Sequence, residues 1–292
     1  MRLPLFIHRF FRLILPVVAN RKGGWRLRAW VMDVRKTRFL RNALLQRLET
    51  GASLWIDPND SMGRSVFYHG LWEGTLARHF YSCCHLDDIV LDVGANFGQY
   101  SVLAAQRVGA RGRVVAVEVN SRCLSLLKKN LFRCEPVRMD LLAVAAWSEN
   151  TTLNLLNGSD STTGLASVRT KQDSGNAEEV VARRLDDALA EINCPHVDVI
   201  KLDIEGAELP ALQGLSRLLE QSPPRAIYCE VEDVHCVIFG YCAADLFAFL
   251  DRFGYRAYGF RRSDGVKERC QSEMDIATYA NMFYFEYGGY CV

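Results

Sequence analysis

The segment Ile89-Val90-Leu91-Asp92-Val93-Gly94-Ala95-Asn96-Phe97-Gly98-Gln99-Tyr100-Ser101 limits the fold of this chain more tightly than any other. A short apolar run ends in a carboxylate, turns through Gly94 and Gly98, and enters a stretch, residues 99–108, with helical spacing. That is the strand–loop–helix opening of a nucleotide-binding α/β unit. Small residues let the backbone approach a ligand, and the N–H groups at the helix start face its negative parts. The order Asp-x-Gly-x-x-x-Gly departs from Gly-x-Gly-x-x-Gly, so a pyrophosphate-binding dinucleotide site is the weaker reading.

Downstream the pattern alternates between β-like and helical runs. Strands are predicted at 89–93, 113–119, 137–146, 197–204, 226–231, 255–260 and 281–287, and helices at 99–108, 121–132, 185–192, 207–220 and 243–253. The run at 197–204 is apolar except for Asp198, Lys201 and Asp203, as in a strand covered on both faces. Residues 151–156 and 179–182 read as an added hairpin around a polar insertion, 157–177. The expectation is α/β: a Rossmann-like, seven-stranded, mostly parallel sheet with helices on both faces. Upstream, residues 1–50 read as a mostly helical extension striped by Phe39, Leu40, Leu44, Leu45 and Leu48. Residues 51–292 form the main domain with its core at 86–287; short β runs are expected at 54–56 and 65–68, and a helix at 75–84.

Charge is uneven. Residues 1–50 carry twelve Lys or Arg against Asp33 and Glu49, a net +10 that leaves −9 on the remainder of a chain totalling +1. A basic arm on an acidic body suits contact with an anionic surface; a solvated helix face, or pairing with the acidic body, explains it equally well. Residues 3–18 are apolar but interrupted by Arg9, Arg12 and Pro16, too short and too charged to cross a bilayer and unlike a secretory signal. Phe6, Phe10, Phe11, Leu13 and Ile14 among the arginines would fit an amphipathic helix in a membrane surface. Packing on its own domain is the commoner fate of such a stretch. Ten cysteines without a C-x-x-C pair suit reduced thiols in a reducing compartment. The expected location is therefore cytoplasmic, with peripheral contact at the inner membrane face. The cluster His79, Cys83, Cys84, His85 lacks a second ligand pair at finger spacing, which disfavours zinc.

Two further groups bear on chemistry. Glu118 lies at the end of the second strand, twenty residues after Gly98, where a carboxylate can accept both hydroxyls of a ribose. The run Ile200-Lys201-Leu202-Asp203-Ile204-Glu205-Gly206-Ala207-Glu208 sets Lys201, Asp203 and Glu205 at one parity, hence on one face if the strand persists. A lysine and a carboxylate buried together perturb each other's charge, as at many catalytic sites. Glu208, ahead of Pro210 and the Leu212, Leu215, Leu219 stripe, reads as a helix cap.

Together, Val90–Ser101, Arg184-Leu185-Asp186-Asp187, Val199 to Glu208, Leu212-Gln213-Gly214 and Ile227 to Glu230 resemble, in order and spacing, the FkbM family of methyltransferases. The resemblance implies the class I methyltransferase fold and transfer of a methyl group from S-adenosyl-L-methionine to a hydroxyl, often of a sugar, glycan or natural product. It implies that Asp92, Gly94, Asn96 and Gly98 take the methionine end of the cofactor, Glu118 the ribose, and the loop Ala145 to Trp147 the adenine. The family's usual proline after this glutamate is replaced by Val119.

A sulfonium methyl is already activated, so the protein must align the acceptor oxygen and accept its proton. Asp203 is the first candidate base, Lys201 an orienting cation, Glu230 the second carboxylate, and His235 a secondary candidate. Asp203 and Glu230 offer oxygen donors that suit magnesium, but a metal is not favoured. The acceptor is a small molecule or glycan rather than nucleic acid. Two other readings remain open: a nicotinamide-dependent oxidoreductase on a similar sheet, for which no Tyr-x-x-x-Lys pair is well placed, and a non-catalytic membrane-surface or assembly module.

Overall fold

The computed structural model describes residues 2–18, 24–33, 38–39, 43–156, 166–169, 177–270 and 279–288. The chain divides between Gly74 and Thr75 into two compact units. The basic extension drawn to residue 50 is thus part of a first unit that runs on to Gly74.

In that first unit, helices Leu5–Val18 and Gly24–Met32 precede a hairpin of strands Leu44–Arg47 and Ser53–Ile56. The helical stripe expected at Phe39, Leu40, Leu44, Leu45 and Leu48 is not found: Phe39 lies in the short strand Arg38–Phe39, Leu40 lies outside the described residues, and Leu44 and Gln46 point inward, Leu45 and Arg47 outward, with the period of a strand. The β run expected at 65–68 is instead inside helix Ser61–His69. The Asp60 carboxylate accepts the N–H groups of Met62 and Gly63 at 2.9 and 3.4 Å, and Gly70, at φ 87°, ends the helix. Capping here outweighs the strand preference of Val66, Phe67 and Tyr68. Tyr68 is buried against His8, its hydroxyl 2.6 Å from Nδ1.

The second unit is built on a sheet of β1 (Ile89–Val93), β2 (Arg113–Val117), β3 (Arg138–Leu142), β4 (Val199–Leu202), β5 (Ala226–Glu230), β6 (Tyr255–Arg261), β7 (Lys267–Arg269) and β8 (Tyr279–Tyr287). Their order is β7-β6-β8-β5-β4-β1-β2-β3. The five strands from β3 to β5 are parallel, and β8 runs antiparallel between β5 and β6. The sheet thus has eight strands, not the seven expected. The extra edge strand, Lys-Glu-Arg, has no apolar alternation by which sequence could announce it.

The helices are α1 (Gly74–Cys83), α2 (Gln99–Val108), α3 (Ser121–Phe132), α4 (Leu185–Glu191), α5 (Glu208–Gln213), α6 (Ser216–Gln221), α7 (Asp233–Cys236) and α8 (Ala243–Arg252). The single helix expected at 207–220 is interrupted after Gln213, where Gly214 lies against the Trp147 carbonyl and a Cβ would overlap it. It restarts under the Asp186 carboxylate, which accepts from the amides of Arg217 and Leu218 at 2.9 and 3.0 Å. The third expected strand also divides. It leaves the main sheet after Leu142, and Ala145–Ala146 joins a second sheet with Thr151–Leu156, Ser167–Arg169 and Glu178–Arg183. Much of the insertion expected at 157–177, namely 157–165 and 170–176, lies outside the described residues.

Leu91, Val93, Ile200, Leu202, Ile227 and Cys229 pack in one core with Leu212, Leu219, Leu246 and Leu250. Such burial contributes about 1.5–3 kcal/mol per large side chain, enough to carry several polar groups at the strand tips. Among the described residues no single helix is long and apolar enough to cross a membrane.

Candidate active site

The parallel register of β4 with β1 sets Lys201 opposite Asp92, so the lysine and aspartate of two separated motifs become neighbours through backbone pairing alone. Lys201, 3% exposed, places Nζ 3.1 Å from the Asp203 carboxylate, 3.9 Å from Asp92 Oδ1, and donates to the Gly94 carbonyl at 3.1 Å. It also lies 5.1 Å from the centre of the Tyr100 ring. This buried cation ties the glycine loop to the end of β4. Asp92 is fully buried; its Oδ2 accepts from Ser101 Oγ at 2.6 Å, while Oδ1 has no hydrogen-bond partner. Burial pushes its carboxyl upward, and Lys201 opposes the shift.

Gly94, at φ 75°, is required less for ligand clearance than for packing: a Cβ there would overlap the Asp203 carbonyl. The Asp203 amide in turn donates to the Val93 carbonyl at 3.1 Å. Asn96 follows at φ 51° and Gly98 at φ 92°, where a Cβ would come 2.8 Å from Leu127 Cδ1. Glu118, at the end of β2, receives the Asn96 amide on one carboxylate oxygen and the Asn120 amide on the other, both at 2.7 Å. Burial raises its carboxyl and these amides hold it down. Each oxygen retains capacity for a further donor, which suits a vicinal diol. Ala145 is buried and Trp147 half-buried, and both pack with Val119 beside Glu118 and Ile204 beside Asp203. All seven residues expected to hold a cofactor lie on strand ends and loops around Asp92, Glu118 and Asp203, and the Glu118 carboxylate offers acceptors that fit a nucleoside's hydroxyls.

A second group of carboxylates lies at the tips of β4 and β5. The shared-face expectation is met by Lys201 and Asp203 and fails at Glu205. The strand stops at Leu202, and Glu205 takes a left-handed φ of 57° in the following turn. Its carboxylate approaches His235 Nδ1 to 3.2 Å. Burial, then Asp203, Glu208 and Glu232, push Glu205 up to about 8. Gly206 allows the contact between the turns, since a Cβ there would come 2.6 Å from the His235 carbonyl. Glu208 is not the helix cap expected: the helix has Ala207 at its N-cap with no side-chain cap bond, and the Glu208 carboxylate instead accepts the amides of Ile204 and Gly206 in the preceding turn at 2.9 and 3.2 Å. Glu230, 7% exposed, accepts Asn281 Nδ2 at 2.6 Å on Oε1, while Oε2 has no partner. Burial and the neighbouring carboxylates Asp203, Glu208, Glu205 and Glu232 raise it well above the ordinary range.

Glu230 groups with Glu205 and His235, while the Asp203 carboxylate, 19% exposed at its side chain, is paired with Lys201. Sequence reasoning left Glu205 out of the site, although the Glu-Gly step after Asp203 marks a turn that could re-aim a side chain. His79 is no zinc ligand in waiting: its Nδ1 lies 2.6 Å from the Tyr228 hydroxyl, and its ring packs on Phe260 and Tyr284. A separate groove of about 630 Å³ between α8 and strands β6 and β8, lined by Phe247, Tyr255 and Phe283 among others, includes none of the site residues.

A mostly parallel β-sheet core, a glycine loop after its first strand and a carboxylate closing its second define a nucleoside-binding α/β domain of Rossmann type. Residues 92–261 match the methyltransferase FkbM domain, more than half of the chain, and the chain belongs to that family. The family's dependence on S-adenosylmethionine agrees with the carboxylate acceptors at Glu118. Over 181 residues, half of this chain, it is 27% identical to the AMB antimetabolite synthetase AmbE of Pseudomonas aeruginosa, of whose length it spans 8%. Among solved structures it is similar to precorrin-6y C5,15-methyltransferase from Geobacter metallireducens (14% identity, TM-score 0.41, covering 72% of this chain and 85% of that one). It is likewise similar to an rRNA methylase from Streptococcus thermophilus (12% identity, TM-score 0.39, covering 73% and 93%). Both likenesses are distant.

Proposed function

We propose that the protein transfers a methyl group from S-adenosylmethionine to a hydroxyl of a sugar, glycan or natural product. The observation that carries this reading is the Asp203 carboxylate, partly open to solvent, with its backbone against Gly94 and its charge paired with Lys201. A base for an alcohol has to stand beside the loop that takes the methionine end of the cofactor, and Asp203 does. Glu118 would accept the ribose hydroxyls, Asp92, Gly94, Asn96 and Gly98 would shape the loop around the methionine end, and Ala145 and Trp147 would border the adenine. S-adenosylmethionine supplies an electrophilic methyl on a sulfonium, so no covalent enzyme intermediate is needed. The chain's share is alignment, which can contribute about 7–11 kcal/mol, and proton acceptance, which adds ~10²–10⁴ in rate.

Incubation with methyl-labelled cofactor and fractionated cell-envelope glycans tests this: label should be recovered in methyl ethers of sugars. Asp203→Asn should lose at least about a hundredfold in turnover with cofactor affinity nearly unchanged. Full activity of that variant would remove Asp203 from the base role. Calorimetric binding of NADH without binding of the sulfonium would end the reading as a whole. The same reading places the protein in the cytoplasm, in keeping with nine free described cysteines, with helix Leu5–Val18 resting on an anionic membrane. Phe6, Phe10 and Leu13 are exposed at i, i+4 and i+7 of that helix.

A further inference from the structure

Three side chains from three elements converge at the tips of β4 and β5: Glu205 from the turn after β4, Glu230 from the end of β5, and His235 from α7. One donor atom of each lies within 4.8 Å of the others. Glu230 Oε2 is buried without a hydrogen-bond partner, although Oε1 is firmly bound by Asn281. His235 Nδ1 is buried likewise: it comes within 3.2 Å of Glu205 Oε2 and 3.7 Å of Glu232 Oε2, yet makes no aligned hydrogen bond. Buried acceptors and ring nitrogens left open are uncommon in folded proteins and call for an explanation. Glu205 reaches the cluster only by taking a left-handed backbone conformation, a strain of the kind kept at functional sites. The nearby cation, Lys201, is engaged by Asp203 and the Gly94 carbonyl.

We propose that Glu205, Glu230 and His235 form a three-ligand site for a first-row divalent cation, of the Mn²⁺ or Zn²⁺ class. Two carboxylate oxygens and an imidazole nitrogen suit these ions better than Ca²⁺, which takes six to eight oxygens, or Mg²⁺, which favours oxygen and water. Donors about 2.1 Å from such an ion stand about 3.0–3.4 Å apart, so side-chain shifts of up to about 1 Å close the site. Three protein ligands leave positions free for an oxygen of the acceptor. That role rests on the hydroxyl-methylation reading; cation binding itself does not.

The test is titration of the full-length, chelator-treated protein with Mn²⁺, free ion being read by electron paramagnetic resonance, and with S-adenosylmethionine by calorimetry in parallel. One Mn²⁺ should bind per chain, Zn²⁺ should displace it, and Ca²⁺ should not. Glu230→Gln and His235→Asn should each weaken Mn²⁺ binding at least about tenfold, while Glu220→Gln, exposed on α6, stays within about twofold. No stoichiometric binding, or unchanged affinity in both ligand variants, overturns the site. If Glu230→Gln melts early, His235→Asn alone decides. Sulfonium binding without Mn²⁺ binding sinks the metal site and spares the methyltransferase reading; Mn²⁺ binding without sulfonium binding does the reverse.

Discussion

Replacing Lys201 by Met removes one charge and keeps most of the side chain's volume, so it isolates what the buried cation contributes. At 3.9 Å from Asp92 and an effective dielectric of about 20, the Coulomb attraction to that fully buried carboxylate is about 4 kcal/mol. Asp203, at 3.1 Å, adds a second pair, but it is partly open and water can replace the lysine there. Breaking a buried pair leaves an uncompensated charge and costs about 3–5 kcal/mol. At about 2–4 °C per kcal/mol for a domain of this size, Lys201→Met should melt about 6–20 °C lower at pH 8. The Asp92 carboxyl is already pushed up by burial, so the folded state takes up its proton more readily than the unfolded chain does. The deficit should therefore shrink as pH falls toward 5. Asp92→Asn in the same chain, which still offers Ser101 an acceptor, should return about 2 kcal/mol. Urea and thermal unfolding of the four proteins of this cycle at pH 8 and pH 5 would measure it. A loss below about 1 kcal/mol for Lys201→Met, or no recovery with Asp92→Asn, would refute the view of Lys201 as the tie between the two loops.

Glu118→Gln should weaken S-adenosylmethionine by about 10–100-fold in calorimetry, because it removes a charge-assisted acceptor and disturbs the Asn96 and Asn120 amides. Burial, with help from Lys267, lowers His79 from 6.5 to about 4. Its contribution is complete above about pH 6.5 and is lost as pH falls through 4, worth up to about 3 kcal/mol, and urea midpoints of His79→Gln should lack that acid loss. Phe6→Ser, Phe10→Ser and Leu13→Ser together should weaken sedimentation with anionic vesicles by at least about tenfold without lowering the melting temperature, since all three are exposed.

The elements legible to the residue in the sequence were those where two signals agreed. Strand Ile89–Val93 joins an apolar run to a glycine turn, and helix Ser121–Phe132 joins a stripe to a cap, the Asn120 side chain accepting from the Arg122 amide at 3.1 Å. The glycine turn at 94–98 was readable for the same reason, and Lys201 and Asp203 meet although Asp203 lies one residue past the end of β4. Parity misled at Glu205 because the strand had ended. Local composition misled at 44–47 and 65–68, where a hairpin turn and an Asp60 cap decided the outcome. His235 could not be ranked from sequence: its approach to Glu205 depends on Gly206 admitting the backbone of a helix thirty residues away.

Strand β8 enters antiparallel between β5 and β6, pairs with both, and brings Asn281 to Glu230. Among the described residues strand β6 has no other link to the parallel strands: its partners are β8 and β7. On the ribosome, then, the sheet stays in two pieces until residue 287 has emerged, and the Glu230 carboxylate goes without its amide donor until then. A nascent chain that has not yet exposed β8 would carry the glycine loop but not the completed acid cluster, so competence arrives with β8 rather than with the folding of the first half.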